Sequence, residues 1–319
     1  MNMQPNEQDK INAYYRAALE SQRFPSLPWP YLTSYPSEMS PYQSNANYTQ
    51  APWASVPFAP RAYGIEEAYR EKQQSLTFVL IHGSWADASF WDGIASALRK
   101  KGHLVYAPEY IKYESNSNKA ITQTHAMLSK SIADFITSNH LQNIILVGHS
   151  FGGSLVQKVA ELVPSHIKRL VFLNAFVLND GQSVADEFPP AAQATFQQLR
   201  QSTKDDTILL PFYFFRETFV NLASLNQAQQ LYDRVAPEPA KPFYEKLDLK
   251  KFYSLTLPKS YVYLTEDNAL PQSNKYGWHP HMSGRLGLFR LIKGQGDHFS
   301  TVKTEPSRVA QKIYEAARD

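Results

Sequence analysis

Short apolar runs alternate with amphipathic segments from Thr77 to the end of the chain, and this alternation constrains the fold more than any other feature. Apolar residues recur at helical spacing in 90–101 and 120–138. A strand followed by a helix and then by another strand predicts an α/β fold, a mostly parallel twisted sheet with helices on both faces. The runs are TFVLI from Thr77, LVYA from Leu104, IILV from Ile144, LVFLN from Leu170, YVYLT from Tyr261 and LFRLI from Leu288.

The alternation is confined to two parts of the chain, and this predicts the domain organisation. Residues 1–75 are rich in Tyr, Pro, Ser and Asn without an apolar period, so we expect an N-terminal arm that is extended or partly disordered. Residues 76–175 and 255–319 form the predicted core. Between them, residues 176–254 have helical character and an aromatic cluster, which predicts a helical cap over one edge of the sheet.

Composition excludes several function classes. The net charge is only +3 and no dense lysine or arginine block occurs, which argues against nucleic acid or an anionic membrane as partner. The chain has no cysteine, so thiolate chemistry and disulfides are excluded. No apolar run approaches the roughly 18 residues of a membrane span, and the start MNMQPNEQDK lacks the apolar core of a secretory signal. We therefore expect a cytoplasmic location.

Ser150 lies in the segment ILVGHSFGGSL, between a buried strand and a helix. Gly148 and Gly152 leave room for a sharp turn that projects the hydroxyl above the sheet edge. Gly-x-Ser-x-Gly also occurs by chance in ordinary loops, and a plain strand-to-helix connection needs only one glycine. The strand–turn–helix context favours Ser150 as a nucleophile.

A serine nucleophile needs a base, and the base needs an orienting carboxylate. His298, in GQGDHFS, follows the last predicted strand and is the candidate base. Asp267, in YLTEDNALP, is the candidate acid, with Glu266 and Asp180 as alternatives. These residues follow the ends of predicted parallel strands, so the sequence predicts that they meet at one edge of the sheet.

An oxyanion formed at this serine needs backbone N–H donors, which we assign to Phe151 and to Ser84 in the loop HGSW. A plain turn at HGSW is the alternative. We expect no metal, since His279 and His281 have no carboxylate or cysteine at ligand spacing, and no cofactor.

Several segments together resemble the α/β-hydrolase superfamily: FVLIHGSW, ILVGHSFGGSL, LVFLNAFV, YLTEDNALP and IKGQGDHFSTVKTEPSRVAQKI. They are most similar to the branch that contains the plant methylesterases, such as the salicylate-binding methylesterase, and the plant hydroxynitrile lyases. The resemblance spans about residues 76–317. It implies an α/β-hydrolase fold with a helical cap inserted after the sixth strand. It also implies a catalytic triad of Ser150, Asp267 and His298, in the chain order of the family.

In this family the pocket lies beneath the cap. The resemblance therefore implies an apolar acyl or aryl site, although core packing of the cap explains the cap residues equally well. The candidate substrate-binding residues are Trp85, Phe212, Tyr213 and Phe215, with Phe214 beside them.

Two departures from the lyases favour ester hydrolysis. The lyases have threonine at the position of Gly83 and lysine at the position of Phe299. We therefore expect a serine-dependent carboxylic ester hydrolase that acts on a small to medium apolar ester through an acyl-enzyme. A lyase, a cofactor-independent oxygenase and a non-catalytic ligand sensor stay open as alternatives, as does a homodimer that involves the N-terminal arm.

Overall fold

Six strands form one parallel sheet in the computed structural model, which describes residues 75–110, 123–271, 273 and 275–319. The sheet has the order β2-β1-β3-β4-β7-β8, and β5 and β6 form a separate antiparallel pair. The strands are β1 (Thr77–Ile81), β2 (Leu104–Tyr106), β3 (Ile144–Ser150), β4 (Ile167–Ala175), β5 (Thr207–Ile208), β6 (Glu238–Pro239), β7 (Lys259–Leu264) and β8 (Arg290–Gly294).

The central strand β3 is buried along its whole length, as expected for a parallel strand covered on both faces. It lies between β1 and β4, and its register against β4 shifts between His149 and Ser150. The last strand, β8, begins at Arg290 rather than at Leu288, whose side chain is 97% exposed. The apolar run LFRLI therefore predicts the presence of the strand, but the strand begins two residues after the start of the run.

Helices of the core pack in pairs, α1 (Asp92–Lys100) against α10 (Pro306–Ala317) and α2 (His125–Ser138) against α3 (Gly152–Leu162). The closing helix α10 buries one apolar face, which includes Val309 and Ile313. The α/β-hydrolase prediction of a mostly parallel sheet with packed helices is confirmed. The core helices are α1 (Asp92–Lys100), α2 (His125–Ser138), α3 (Gly152–Leu162), α9 (Ser300–Thr304) and α10 (Pro306–Ala317).

The chain between β4 and β7 contains five helices and the β5–β6 pair. Among the described residues, four strands precede this insertion. The position of the insertion after the sixth strand stays a prediction, because residues 1–74 and 111–122 lie outside the described residues. The bounds 176–254 for a separate cap stay a prediction. The helices are α4 (Pro190–Gln201), α5 (Phe212–Thr218), α6 (Leu225–Tyr232), α7 (Lys241–Tyr244) and α8 (Lys250–Ser254).

The predicted N-terminal arm, residues 1–75, lies outside the described residues except for Ser75. In the part of the chain that the structure describes, no helix combines the length and apolarity needed to cross a bilayer.

Candidate active site

Ser150 is the last residue of β3, and α3 begins two residues later at Gly152. Its φ is +52°, a left-handed conformation that residues other than glycine seldom adopt. A Cβ at Gly148 would lie 2.6 Å from the carbonyl oxygen of Gly152, and a Cβ at Gly152 would lie 2.6 Å from backbone oxygens of the β1 end. The two glycines therefore permit the close approach that the sharp turn at Ser150 requires.

Asp267 and His298 contact each other in the interior of the protein. The Nδ1 atom of His298 lies 2.6 Å from Oδ2 of Asp267, and the two side chains are 2% and 0% exposed. A hydrogen bond to a carboxylate places the proton of a neutral imidazole on Nδ1, which leaves the Nε2 lone pair available as a base. Ser150 and His298 line the same cavity.

The alternative acids are bonded elsewhere. Glu266 accepts a hydrogen bond from the backbone N–H of Gly296 at 2.8 Å, and Asp180 accepts one from Leu249 at 2.8 Å. Of the three candidates, Asp267 is the carboxylate that contacts His298.

Asn174, near the end of β4, is a site residue that the sequence analysis missed. Its Nδ2 lies 2.5 Å from Oδ2 of Asp267 and 3.0 Å from the carbonyl oxygen of Leu264, while its Oδ1 accepts from the N–H of Leu264 at 2.7 Å. The N–H of Ala269 adds a bond to Oδ1 of Asp267 at 2.8 Å. Asn174 therefore fixes the carboxylate to the end of β7. The one signal in the sequence was an asparagine closing the apolar run LVFLN.

Aromatic rings fix the plane of the His298 imidazole. The Trp278 ring stacks on it with centroids 5.4 Å apart and an interplanar angle of 8°, and Phe219 presents an edge at 5.2 Å. Burial, and to a smaller extent His298, lowers the pKa of His149 well below its usual value. Neutral His149 then donates from Nε2 to the carbonyl oxygen of His298 at 2.9 Å.

The loop after β1 lies directly against the serine turn. A Cβ at Gly83 would lie 2.7 Å from Cβ of Ser150, so this position has no room for a side chain. The two predicted oxyanion donors belong to buried residues, Ser84 at 6% and Phe151 at 0% exposure. In the same loop, Nδ1 of His82 lies 2.8 Å from the carbonyl oxygen of Gly83.

The cavity at Ser150 encloses about 240 Å³ of empty space, including its opening to solvent. The described residues of its wall are mostly aromatic and aliphatic, and none of them is a lysine, arginine, aspartate or glutamate. The lining residues are Trp85, Ser150, Phe176, Phe188, Phe219, Phe243, Ala269, Leu270, Trp278 and His298.

The structure brings one of the predicted substrate-binding residues, Trp85, to this wall. Three others are placed elsewhere. Phe215 is fully buried against Phe219 and Phe299, Tyr213 is 55% exposed, and Phe212 packs edge-on against Tyr232. The aromatic residues that line the cavity come from other parts of the insertion and from the core.

The histidines of the sequence HPH have separate partners. His279 lies 2.7 Å from Oγ of Ser283, while His281 lies 3.1 Å from the buried carboxylate of Glu187. Within residues 75–110 and 123–319, apart from the undescribed 272 and 274, no three His, Cys, Asp or Glu side chains cluster as metal ligands would.

Comparisons with known proteins show the family of the chain. The sequence pattern of the alpha/beta hydrolase family matches residues 78–311. The chain belongs to this family. It is also 56% identical to an extracellular alpha/beta-hydrolase from a Paenibacillus species, described as sharing structural and functional homology with tobacco salicylic acid binding protein 2. The two superpose with a TM-score of 0.74 over 76% of this chain and all of the other.

Two curated relatives are esterases by name. A carbendazim hydrolyzing esterase from Nocardioides sp. (strain SG-4G) is 34% identical over 118 residues, which cover 36% of this chain and 48% of the relative. Methylesterase 1 of Arabidopsis thaliana is 26% identical over 219 residues, which cover 64% of this chain and 83% of the relative. The chain spans about half the length of the first curated relatives it matches. The family resemblance of the sequence is confirmed.

Proposed function

We propose that this α/β-hydrolase is a serine-dependent carboxylic ester hydrolase that works through an acyl-enzyme on a small to medium apolar ester. One observation carries the proposal. A strained serine at a strand end shares an apolar cavity with a histidine whose other ring nitrogen is bonded to a buried carboxylate. Relatives named as esterases support the same reaction class.

In the proposed mechanism, Nε2 of His298 takes the proton of Ser150 as Oγ attacks the ester carbonyl carbon. Asp267 holds the imidazole in the required tautomer and stabilises the imidazolium. The N–H groups of Ser84 and Phe151 stabilise the oxyanion. His298 then returns the proton to the departing alcohol, and the acyl group stays on Ser150. Water, activated by the same histidine, releases the acid.

The wall of the cavity supports an uncharged substrate. Apart from His298, none of the described residues that line it has an ionisable side chain, and burial of an unpaired charge there would be costly. Its volume of about 240 Å³ is below the usual range of roughly 300–1,000 Å³ for ligand pockets. We therefore propose that the preferred esters are small, with an aromatic or branched aliphatic group beside Phe219 and Phe243.

The lyase alternative is the weaker candidate. Gly83 has no space for a threonine beside Ser150, and the side chain of Phe299 packs against Phe90 and Phe215 rather than lining the cavity. No lysine or arginine among the described residues lines this wall to stabilise a departing cyanide ion. Hydrolysis needs none, because His298 protonates the leaving alcohol.

The test compares wild type with Ser150→Ala on p-nitrophenyl acetate and butyrate. We expect a fall in kcat of at least about 10⁴-fold for Ser150→Ala, since removal of a serine nucleophile costs that much in related chemistry. Ser254→Ala, which changes an exposed serine on α8, is the matched control and should keep the wild-type rate. Labelling by a fluorophosphonate, read by mass spectrometry, should map to Ser150.

Near wild-type turnover by Ser150→Ala would refute the proposal. Cleavage of a cyanohydrin without any ester hydrolysis would favour the lyase instead. Ligand binding with neither turnover nor labelling would favour a sensor.

A further inference from the structure

Glu238, on β6, is a buried carboxyl group that the proposed reaction does not use. It is 1% exposed and pairs with Ile208 in the antiparallel β5–β6 sheet of the insertion. Its Oε2 accepts a hydrogen bond from the backbone N–H of Trp85 at 2.9 Å. This bond joins the insertion to the loop that carries the predicted oxyanion donor.

Trp85 is attached to the same small sheet a second time. Its indole Nε1 donates to the carbonyl oxygen of Ile208 at 2.8 Å. Its φ is +57°, and a non-glycine residue keeps such a conformation only where its surroundings impose it. The two bonds to β5 and β6 supply that restraint.

The orientation of the neighbouring peptides follows from these contacts. The carbonyl of Gly83 is engaged by Nδ1 of His82 at 2.8 Å. In a trans peptide the N–H and C=O groups point in opposite directions, so this bond turns the N–H of Ser84 away from His82. Glu238 fixes the next peptide through the N–H of Trp85. The Ser84 N–H is therefore restrained on both sides.

We propose that Glu238 is a positioning residue for the oxyanion loop, residues 82–85: it holds the Trp85 N–H so that the Ser84 N–H stays directed at the reacting carbonyl oxygen. The inference rests on the proposed function and extends it. According to this proposal, the β5–β6 sheet of the insertion supports catalysis, because its contacts with Trp85 keep the oxyanion loop in the active conformation.

The property that Glu238 contributes is an acceptor oxygen, which the protonated and the ionised carboxyl group both supply. A full charge beside the oxyanion loop would oppose the developing oxyanion. Burial raises the pKa of this carboxyl to about 7, with His82, Ser84 and Glu109 as its polar neighbours. A glutamine at this position keeps an acceptor for the Trp85 N–H, whereas an alanine removes it.

The kinetic test compares Glu238→Gln with Glu238→Ala on a p-nitrophenyl ester. We expect Glu238→Ala to lower kcat by about 10–100-fold with KM within about twofold, because loss of an oxyanion donor costs about 10²–10³ and displacement costs less. Glu238→Gln should stay within about threefold of wild type. Glu217→Ala, which removes a partly exposed carboxylate of the same insertion, is the control and should be unchanged.

Inhibition by a trifluoromethyl ketone distinguishes a displaced oxyanion loop from a general disruption of the active site. The ketone adds to Ser150 and forms an oxyanion that the loop stabilises, whereas the product acid binds without forming such an oxyanion. Its inhibition constant should rise in Glu238→Ala by the factor that kcat/KM falls, while the binding of the product acid stays constant. Equal losses in Glu238→Gln and Glu238→Ala, or a change in KM alone, would overturn the inference.

A second readout needs no turnover. Hydrogen exchange of the peptide that covers residues 82–88 should be faster in Glu238→Ala and unchanged in Glu238→Gln. If the wild type cleaves no ester but this exchange pattern appears, the esterase proposal fails and the role of Glu238 in holding the loop stands. Identical exchange in all three proteins would refute that role.

Discussion

Two regions meet at the cavity, the carboxyl edge of the sheet and the insertion between β4 and β7, and Asp267 and Glu238 are buried carboxyl groups of the first and the second. Asp267, at the sheet edge, receives hydrogen bonds from at least three groups, on His298, Asn174 and Ala269. Glu238, on the insertion, receives one backbone bond from Trp85. Burial raises the pKa of Glu238 to about 7.

The difference separates two uses of a buried carboxyl group. Several donors around Asp267 compensate a negative charge, which the mechanism needs opposite an imidazolium. At Glu238 burial outweighs the hydrogen bonding from Trp85 and Ser84, which leaves part of the cost of a buried charge uncompensated. We therefore infer that Asp267 at the sheet edge serves as a negative charge, whereas Glu238 of the insertion serves to fix the conformation of the loop. The next three experiments test this contrast.

The largest effect is expected from Asp267→Asn. An amide in this position favours the wrong imidazole tautomer, so kcat should fall by about 10³–10⁴-fold while KM changes little. Steady-state kinetics on a p-nitrophenyl ester measures the effect. Glu266→Gln, the adjacent carboxylate bonded to Gly296, is the matched control and should keep at least half of the activity. A comparable fall in kcat for Glu266→Gln would contradict the assignment of Asp267 as the acid.

A smaller effect, on stability, is expected from Glu238→Gln. The folded-state pKa of about 7 lies above the ordinary 4.5, so this group stabilises the fold below pH 4.5 and loses that contribution as the pH rises through 7. The free energy of unfolding of the variant, relative to wild type, should therefore increase between pH 4 and pH 8.5. At 1.36 kcal/mol per unit, the increase is at most on the order of 3 kcal/mol.

Urea unfolding of both proteins at the two pH values measures this difference. A difference that is independent of pH would mean that the pKa of Glu238 is the same in the folded and the unfolded protein, and the contrast with Asp267 would be lost.

The smallest effect is expected where the loop touches the serine turn, from Gly83→Ala. The new Cβ would lie 2.7 Å from Cβ of Ser150, so the loop must shift, and kcat should fall about tenfold. Gly284→Ala is the control, because a Cβ there meets no atom within 4 Å and its φ is not left-handed. Unchanged kcat in Gly83→Ala would show that the loop position is not critical.

Local signals in the sequence predicted which residues lie at the carboxyl edge of the sheet. Ser150 was predicted from glycines between a strand and a helix, and His298 from its place after the last strand. These predictions depend on neighbours in the chain and on the rule that parallel strands end at one edge. The structure places Ser150 and His298 at one cavity and joins His298 to Asp267, while their catalytic roles stay a prediction.

Only the tertiary structure decided the rest. Asn174 and Glu238 contact residues 93 and 153 positions away in the chain, and Trp278 contacts His298 from the other side of strand β8, so no local pattern marked them. The aromatic cluster at 212–215 predicted a helix correctly, but the direction of its rings depends on how the insertion packs against the core. The sequence by itself determined which backbone positions carry the chemistry. Packing between distant segments determined which side chains surround these positions. Local periodicity indicates which face of a helix or strand is buried, but it does not indicate which distant segment covers that face.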